Sequence, residues 1–311
     1  MYALRAHVRG GPEVLVYEQA PRPAIGDGEI LVAVHAAAIT FAELTWDETW
    51  TREGVDRTPI IPSHEFSGVV AEIGSAVTGF AVGDPVYGLV PFDRDGAAAE
   101  YVAVPADQCA AKPASLSHAE AAALPLPALT AQQALFDHAH VSAGERVLVL
   151  GGAGGVGGYA VQMAAAAGAH VTATTRSAVE YVKTLGANEV IDIRNDDFST
   201  RAGEFDVVID TVSGDTLDRS YSLVRRGGRL ITLQTPPDQD KAARRGITAV
   251  FFIVISDTAA LDSLAALVDS SALRVTVAAT FPLAHGAAAY ASGAQVGRQP
   301  GKTVLAVRPE P

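Results

Sequence analysis

Six glycines within eight residues, GGAGGVGG at 151–158, are the most chemically directed feature of this sequence. Gly152, Gly154 and Gly157 fit G-x-G-x-x-G, with Ala153, Gly155 and Val156 between them. The apolar run Arg146–Leu150 in front suits a buried strand, and Tyr159–Ala167 behind suits a helix. In that setting the glycines permit a tight turn, let a pyrophosphate approach the backbone and let the helix pack closely on the strand. The helix N-terminus adds N–H groups and positive partial charge for phosphates. Motif and context together point to a dinucleotide site rather than a merely structural turn.

The next strand, Ala169–Thr175, decides which dinucleotide. A carboxylate at its end would hydrogen-bond a ribose 2′-OH and repel a 2′-phosphate. Here Thr174-Thr175-Arg176-Ser177 follows, and the first carboxylate is Glu180. Hydroxyls beside a guanidinium form a small anion site. A charge-assisted hydrogen bond of roughly 1.5–3 kcal/mol from Arg176 corresponds to about a ten- to hundredfold preference for NADPH. The bland alternative is a solvated arginine that opens a helix.

A second group of residues suits a flat organic acceptor. The only two tryptophans, Trp46 and Trp50, stand four residues apart, with Phe41 before them. They form either an aromatic wall over a substrate or a hydrophobic clasp on a loop. Tyr87 is a further hydroxyl donor, or else a strand packing residue.

These residues need elements to position them. Hydrophobic residues make up 49% and charged residues 19% of 311, enough apolar surface for two sizeable cores. The net charge of −12 repels a phosphodiester backbone, so a nucleic-acid partner is not expected. Cys109, the single cysteine, excludes an intrachain disulfide and a tetrathiolate metal site, and a reducing cytoplasm is the simplest setting. The start, MYALRAHVRGG, lacks the apolar core of a secretory signal. Residues 147–169 have Gln162 as their only strongly polar side chain, yet the glycines make them a strand, turn and helix rather than a membrane span.

The pattern predicts strands at Glu29–Val34, Gly68–Ile73, Pro85–Leu89 and Glu100–Val104, then a helical stretch Ala119–His138. Strands at Arg146–Leu150, Ala169–Thr175, Val190–Ile193, Asp206–Asp210 and Arg229–Leu233 alternate with helices, which implies a doubly wound parallel sheet. Ala249–Ile255 (AVFFIVI) reads as a last strand at an edge that a second subunit would cover. A helix Thr258–Asp269 and strands Val275–Phe281 and Thr303–Val307 complete the chain. The expectation is an α/β protein with a β-rich domain over 1–118 and 256–311 and a nucleotide domain inserted at 119–255.

Several stretches occur in a telling order: Gly11-Pro12-Glu13-Val14-Leu15; Gly28-Glu29-Ile30-Leu31-Val32 with Ala36-Ala37-Ala38; Gly68-Val69-Val70-Ala71-Glu72-Ile73-Gly74; Gly83-Asp84-Pro85-Val86; Leu124-Pro125-Leu126-Pro127-Ala128-Leu129-Thr130-Ala131; and Gly301-Lys302-Thr303-Val304-Leu305. Nearly end to end, the chain resembles the zinc-independent quinone oxidoreductase (zeta-crystallin-like) branch of the medium-chain dehydrogenase/reductase superfamily. The resemblance implies a GroES-like β domain fused to a Rossmann domain, a cofactor in the cleft between them, and homodimers or tetramers paired through the Rossmann sheet. It places Thr130 near the nicotinamide, Asp210-Thr211-Val212 and Thr235 along the cofactor, Phe252-Ile253 against the nicotinamide amide and Lys302 within reach of it. Thr130 as a helix cap, Phe252 as core and Lys302 as a surface lysine stand as alternatives.

Zinc-dependent relatives polarise a carbonyl with a metal held by Cys, His and Cys. The resemblance puts Thr40 at the first thiolate position and Leu126 at the third, so only His64 survives and no metal is expected. His64 is then a hydrogen-bonded cleft residue, or a substrate contact or proton relay. Without a Lewis acid, hydride goes more easily to a quinone or to the β-carbon of an enone or alkenal. The family's Asn, Asp and Tyr are Thr40, Glu43 and Thr45 here, so the acceptor pocket departs from its pattern while the cofactor site does not. Thr130, His64 and Thr40 are the candidate catalytic residues of an NADPH-dependent quinone or enone reductase. An enoyl-thioester or biosynthetic tailoring reductase, a non-catalytic NADPH sensor, and a zinc alcohol dehydrogenase are the alternatives.

Overall fold

The computed structural model describes residues 1–309. The chain divides into two compact units, one of the first 126 residues together with those from Ser256 onward, the other Pro127–Ile255.

In the second unit, apolar runs covered on both faces build a six-stranded parallel sheet. Its order is Glu189–Asp192, His170–Thr175, Arg146–Leu150, Phe205–Asp210, Val224–Thr232, Thr248–Phe251. The chain starts at the centre, fills one side and then returns to fill the other. The change of direction lies between Arg146–Leu150 and Phe205–Asp210, where ligands of such sheets bind at the carboxyl ends of the strands. Residues 147–169 are a strand, a turn and the helix Gly155–Ala166. Among the described residues no helix is long and apolar enough to cross a membrane.

Two expectations are corrected here. Ala249–Ile255 is not one strand: pairing stops at Phe251, and Ile253 and Ile255 are exposed. Gln133 holds the departing chain, its Oε1 accepting from the Ile255 N–H at 3.1 Å and its Nε2 donating to the Ile255 carbonyl at 2.6 Å. Ala119–His138 is not one helix but His118–Ala122, Pro125–Gln132 and a π-helical Gln133–His138. Ser117 and Glu120 form a reciprocal capping box on the first piece, and Pro125 starts the second because proline cannot continue a helix.

The first unit is a seven-stranded sheet with a hairpin, Tyr2–Ala6 and Leu15–Gln19. Its long central strand, Glu29–Ile39, pairs antiparallel with both Glu65–Ile73 and Lys302–Ala306. Opposite pairs are Ala38 with Glu65 and Ile39 with Thr303. Register therefore brings Thr40, Glu65 and Lys302 to one end of the sheet.

Candidate active site

The glycine turn divides its labour. A Cβ on Gly157 would lie 2.1 Å from the Gly151 carbonyl oxygen, and one on Gly152 would lie 2.8 Å from the Ala173 Cβ. Both are glycine because the protein's own atoms fill the space. Gly154 differs: it is exposed, and its Cβ would meet only the Gly151 oxygen, at 3.3 Å. The chain crowds that position far less than Gly152 or Gly157, and its exposed side leaves room for a pyrophosphate. Gly154 is the N-cap of Gly155–Ala166 and offers no side-chain cap, which leaves first-turn N–H groups of Gly155, Val156 and Gly157 for an anion.

Around this turn the side chains sort into supports and contacts. The Thr174 hydroxyl accepts from the Gly151 N–H at 3.0 Å, and that of Thr175 from the Ala178 N–H at 3.3 Å. Both threonines are buried, which corrects the expectation that their hydroxyls join an anion site: in a strand covered on both faces, successive side chains point inward to one layer or the other. Arg176 is exposed and makes no hydrogen bond or ion pair with the described residues. Asp210 is fully buried, its carboxyl raised by burial against the pull of the Val212 and Ser213 N–H groups at 3.0 and 3.1 Å. Thr211 donates to the Leu150 carbonyl at 2.7 Å, and the Thr235 hydroxyl pairs with Ser213 at 2.7 Å. Asp210, Thr211 and Thr235 thus shape the strand ends, while Val212 is left exposed. Thr130 is buried inside Pro125–Gln132 and so is no cap, and Phe252 lies against the His138 ring, centroids 4.2 Å apart.

The first unit holds a buried polar cluster where its strand ends meet. Lys302 is paired with the Glu65 carboxylate, and its Nζ donates to the Thr40 Oγ1 at 3.0 Å. Lys302 is therefore buried and is no surface lysine. Burial raises the Glu65 carboxyl, and Lys302 pulls it down. Glu43 accepts from the Tyr290 hydroxyl and from the Ser63 N–H at 3.0 Å. Burial pushes its carboxyl up to about 7 against the pull of Tyr290, Lys302 and Ser63. His64 is buried with the Pro91 and Val90 backbone beside its ring, its Nε2 standing 3.9 Å from Glu43. Burial and Arg57 lower its pKa to about 3. Burial thus favours the neutral imidazole.

The aromatic residues separate as well. Trp46 meets Phe92 edge-to-face at 5.4 Å, and Phe92 meets His64 at 5.1 Å, so the half-buried pair Trp46 and Phe92 walls one side of the cluster. Phe41, stacked under Arg298 at 4.3 Å, lies next to Thr40. Trp50 is no part of a wall: it is buried in the core, and its Nε1 donates to the Leu44 carbonyl at 2.9 Å. Tyr87 is likewise no acceptor-facing donor, being fully buried with its hydroxyl given to the Leu261 carbonyl at 2.6 Å. Thr45 is exposed and its hydroxyl donates to the Ala42 carbonyl at 2.7 Å. Sequence reasoning missed Phe92, Tyr290 and Arg298. No local pattern marks them, because each meets its partner only through tertiary pairing.

The cluster does not fit a zinc ion. The Lys302 ammonium already stands between Thr40 and Glu65, Glu43 is taken by Tyr290 and Ser63, and the described residues contain no group of three metal-ligating side chains.

Glu43 gives the fold a pH signature. Its folded-state pKa lies above the ordinary 4.5, so its contribution to stability is fully present below that pH and is lost as pH rises towards about 7. The loss is on the order of 3 kcal/mol. Thermal melting between pH 4.5 and 7.5 is expected to be distinctly flatter in Glu43→Gln than in the parent; parallel curves would contradict this.

Comparisons with known proteins agree with the architecture. Residues 26–114 match a family model described as alcohol dehydrogenase GroES-like domain, and residues 185–305 one described as zinc-binding dehydrogenase. A mitochondrial NAD(P)H oxidoreductase of Danio rerio is 30% identical, over 90% of this chain and 84% of its own length. A 2-methylene-furan-3-one reductase of Solanum lycopersicum is 33% identical, over 91% of this chain and 73% of its own. The solved structure of the quinone oxidoreductase from Coxiella burnetii superposes with a TM-score of 0.92 at 30% identity, covering 99% of both chains.

Proposed function

Because the chain belongs to the quinone oxidoreductase branch of the medium-chain dehydrogenase/reductase superfamily, we propose that it is a zinc-independent, NADPH-dependent reductase of quinones and α,β-unsaturated carbonyls. The observation that carries this reading is Gly154, an exposed glycine at a helix N-terminus beside which only the Gly151 carbonyl oxygen comes near. The relatives' names support the acceptor class, one being a quinone oxidoreductase and another a reductase of an exocyclic enone. NADPH is favoured over NADH by the unpaired Arg176 and by the absence of a carboxylate between Thr174 and Ser177. Zinc independence is supported by the unsuitable donor set around His64.

When bound, the dinucleotide supplies a hydride. The protein's residues do the rest. The glycine turn and the first-turn N–H groups hold the pyrophosphate, Arg176 selects the 2′-phosphate, and Trp46 with Phe92 offers a flat apolar face to the acceptor. A quinone or enone spreads the incoming negative charge itself, so hydrogen-bond donors suffice where an unactivated alcohol would need a metal. A homodimer, paired through the edge strand Thr248–Phe251 with the exposed Ile253 and Ile255, and a cytoplasmic location belong to the same reading.

The test is oxidation of NADPH and NADH against a benzoquinone, a naphthoquinone, an alkenal, a cyclic enone and an enoyl-thioester. Turnover of quinones or enones with NADPH preferred is expected. Tight NADPH binding without turnover of any of them would instead favour a sensor, and strong preference for the thioester would move the acceptor class.

A further inference from the structure

One turn of the unit Pro127–Ile255 departs from regular helix, and it does so beside the segment that leaves the sheet. Gln133–His138 is π-helical, its end closed by the Ala139 N–H donating to the Ala134 carbonyl at 3.0 Å, five residues back. Such i→i+5 turns are rare and recur at functional sites. Side chains five apart on an α-helix diverge by about 140°, whereas one i→i+5 turn brings them close to the same face. Gln133 and His138 therefore both meet one segment. The Gln133 amide pairs with both backbone groups of Ile255, accepting at 3.1 Å and donating at 2.6 Å, as a residue of a neighbouring strand would. The His138 ring lies on that of Phe252, with 35° between their planes. The turn is itself anchored. Arg229, on the strand Val224–Thr232, donates from Nε to the Ala139 carbonyl at 2.8 Å and grips Glu145 with Nη1 and Nη2 at 3.0 and 2.8 Å. A fixed base thus holds residues 252–255, where strand pairing has already ended at Phe251.

Those residues leave the sheet at the carboxyl ends of its strands, the edge where ligands of such sheets bind. The glycine turn follows Arg146–Leu150, and Arg176 follows the neighbouring strand His170–Thr175 on one side of it. A dinucleotide whose 2′-phosphate meets Arg176 and whose pyrophosphate meets the glycine turn sends its nicotinamide half the other way. That path crosses the ends of Phe205–Asp210 and Val224–Thr232 towards Thr248–Phe251. Resting on the NADPH reading above, we propose that Gln133 and His138 are positioning residues of the nicotinamide end of the cofactor site. The π-helical turn clamps residues 252–255 so that the half-buried Phe252 and the exposed Ile253 border the nicotinamide. A segment already ordered spares the cofactor the entropy of ordering it on binding. The adenosine half, on the far side of the glycine turn, gains nothing from the clamp.

The experiment is titration calorimetry of the full chain with NADPH and with adenosine 2′,5′-bisphosphate, which lacks the nicotinamide half, beside amide hydrogen exchange. Gln133→Met keeps the length of the side chain without its polar atoms. It is expected to raise the Kd for NADPH by about tenfold or more and to leave that for the bisphosphate within about twofold. The Ile255 amide, released from its acceptor, should exchange about tenfold faster or more, while the amides of Arg146–Leu150 exchange as in the parent. His138→Ala should weaken NADPH in the same selective way, and His138→Phe, which keeps a ring against Phe252, should recover the parent's affinity. Parent affinity for NADPH in both Gln133→Met and His138→Ala would overturn the clamp and leave the NADPH reading standing. Equal losses for NADPH and the bisphosphate would also overturn it, because the damage would then extend beyond the nicotinamide end. A parent chain that binds neither ligand would overturn the NADPH reading and the clamp together.

Discussion

Gly154→Val is expected to abolish dinucleotide binding, raising the Kd by about a hundredfold or more, while the protein still folds. The two halves of this result have separate causes. Gly154 has φ −76° and ψ 174°, an extended conformation that valine adopts readily, and it is exposed. The fold therefore loses at most about 1–2 kcal/mol, the usual penalty of a poor N-cap. A valine side chain would, however, fill the space through which a pyrophosphate reaches the first-turn N–H groups. Each charge-assisted hydrogen bond forfeited is worth roughly 1.5–3 kcal/mol, so losing one or two suffices for the expected drop. Gly157→Val is the informative contrast: there the new Cβ meets the Gly151 carbonyl at 2.1 Å, and the turn itself must deform. Titration calorimetry with NADPH, beside melting curves, distinguishes the cases. Undiminished binding in Gly154→Val would remove the glycine turn from the cofactor site.

The second large effect is a change of preference rather than a loss. Arg176→Ala should raise the KM for NADPH by about ten- to a hundredfold and leave that for NADH nearly unchanged. The structure sharpens this expectation, because Thr174 and Thr175 are turned inward and share none of the burden. Arg176 is exposed and unpaired, so its removal breaks no internal contact. Equal effects on both cofactors would show that the guanidinium does not read the 2′-phosphate.

Where local sequence dictates structure, the fold was legible. Arg146–Leu150, Pro85–Leu89 and Thr258–Asp269 have the predicted bounds, since each is an apolar or amphipathic run closed by a breaker or a cap. The glycine turn was legible for the same reason. The acceptor side was not. Lys302 meets Glu65 across 237 residues and Tyr290 meets Glu43 across 247, pairings fixed by strand register and packing rather than by any motif. Trp50 and Tyr87 looked like substrate residues because of their type, yet each spends its polar atom on a backbone carbonyl inside the core. Thr174 and Thr175 misled in the opposite direction: a strand buried on both faces hides both of its alternating side chains, so hydroxyls at its end are not presented as their sequence suggests. Ala249–Ile255 looked like one strand, since apolarity alone does not reveal that pairing ends at Phe251.

The central claim, hydride delivery from a bound reduced nicotinamide to an activated acceptor, is tested most directly by following a label. NADPH carrying deuterium at the nicotinamide C4, on each face in turn, is incubated with the enzyme and a cyclic enone, and the product is analysed by NMR. The account predicts deuterium at the β-carbon from one face only, with the new O–H or α-hydrogen drawn from solvent. Product without deuterium at that carbon, or no product with the cofactor bound, would contradict it.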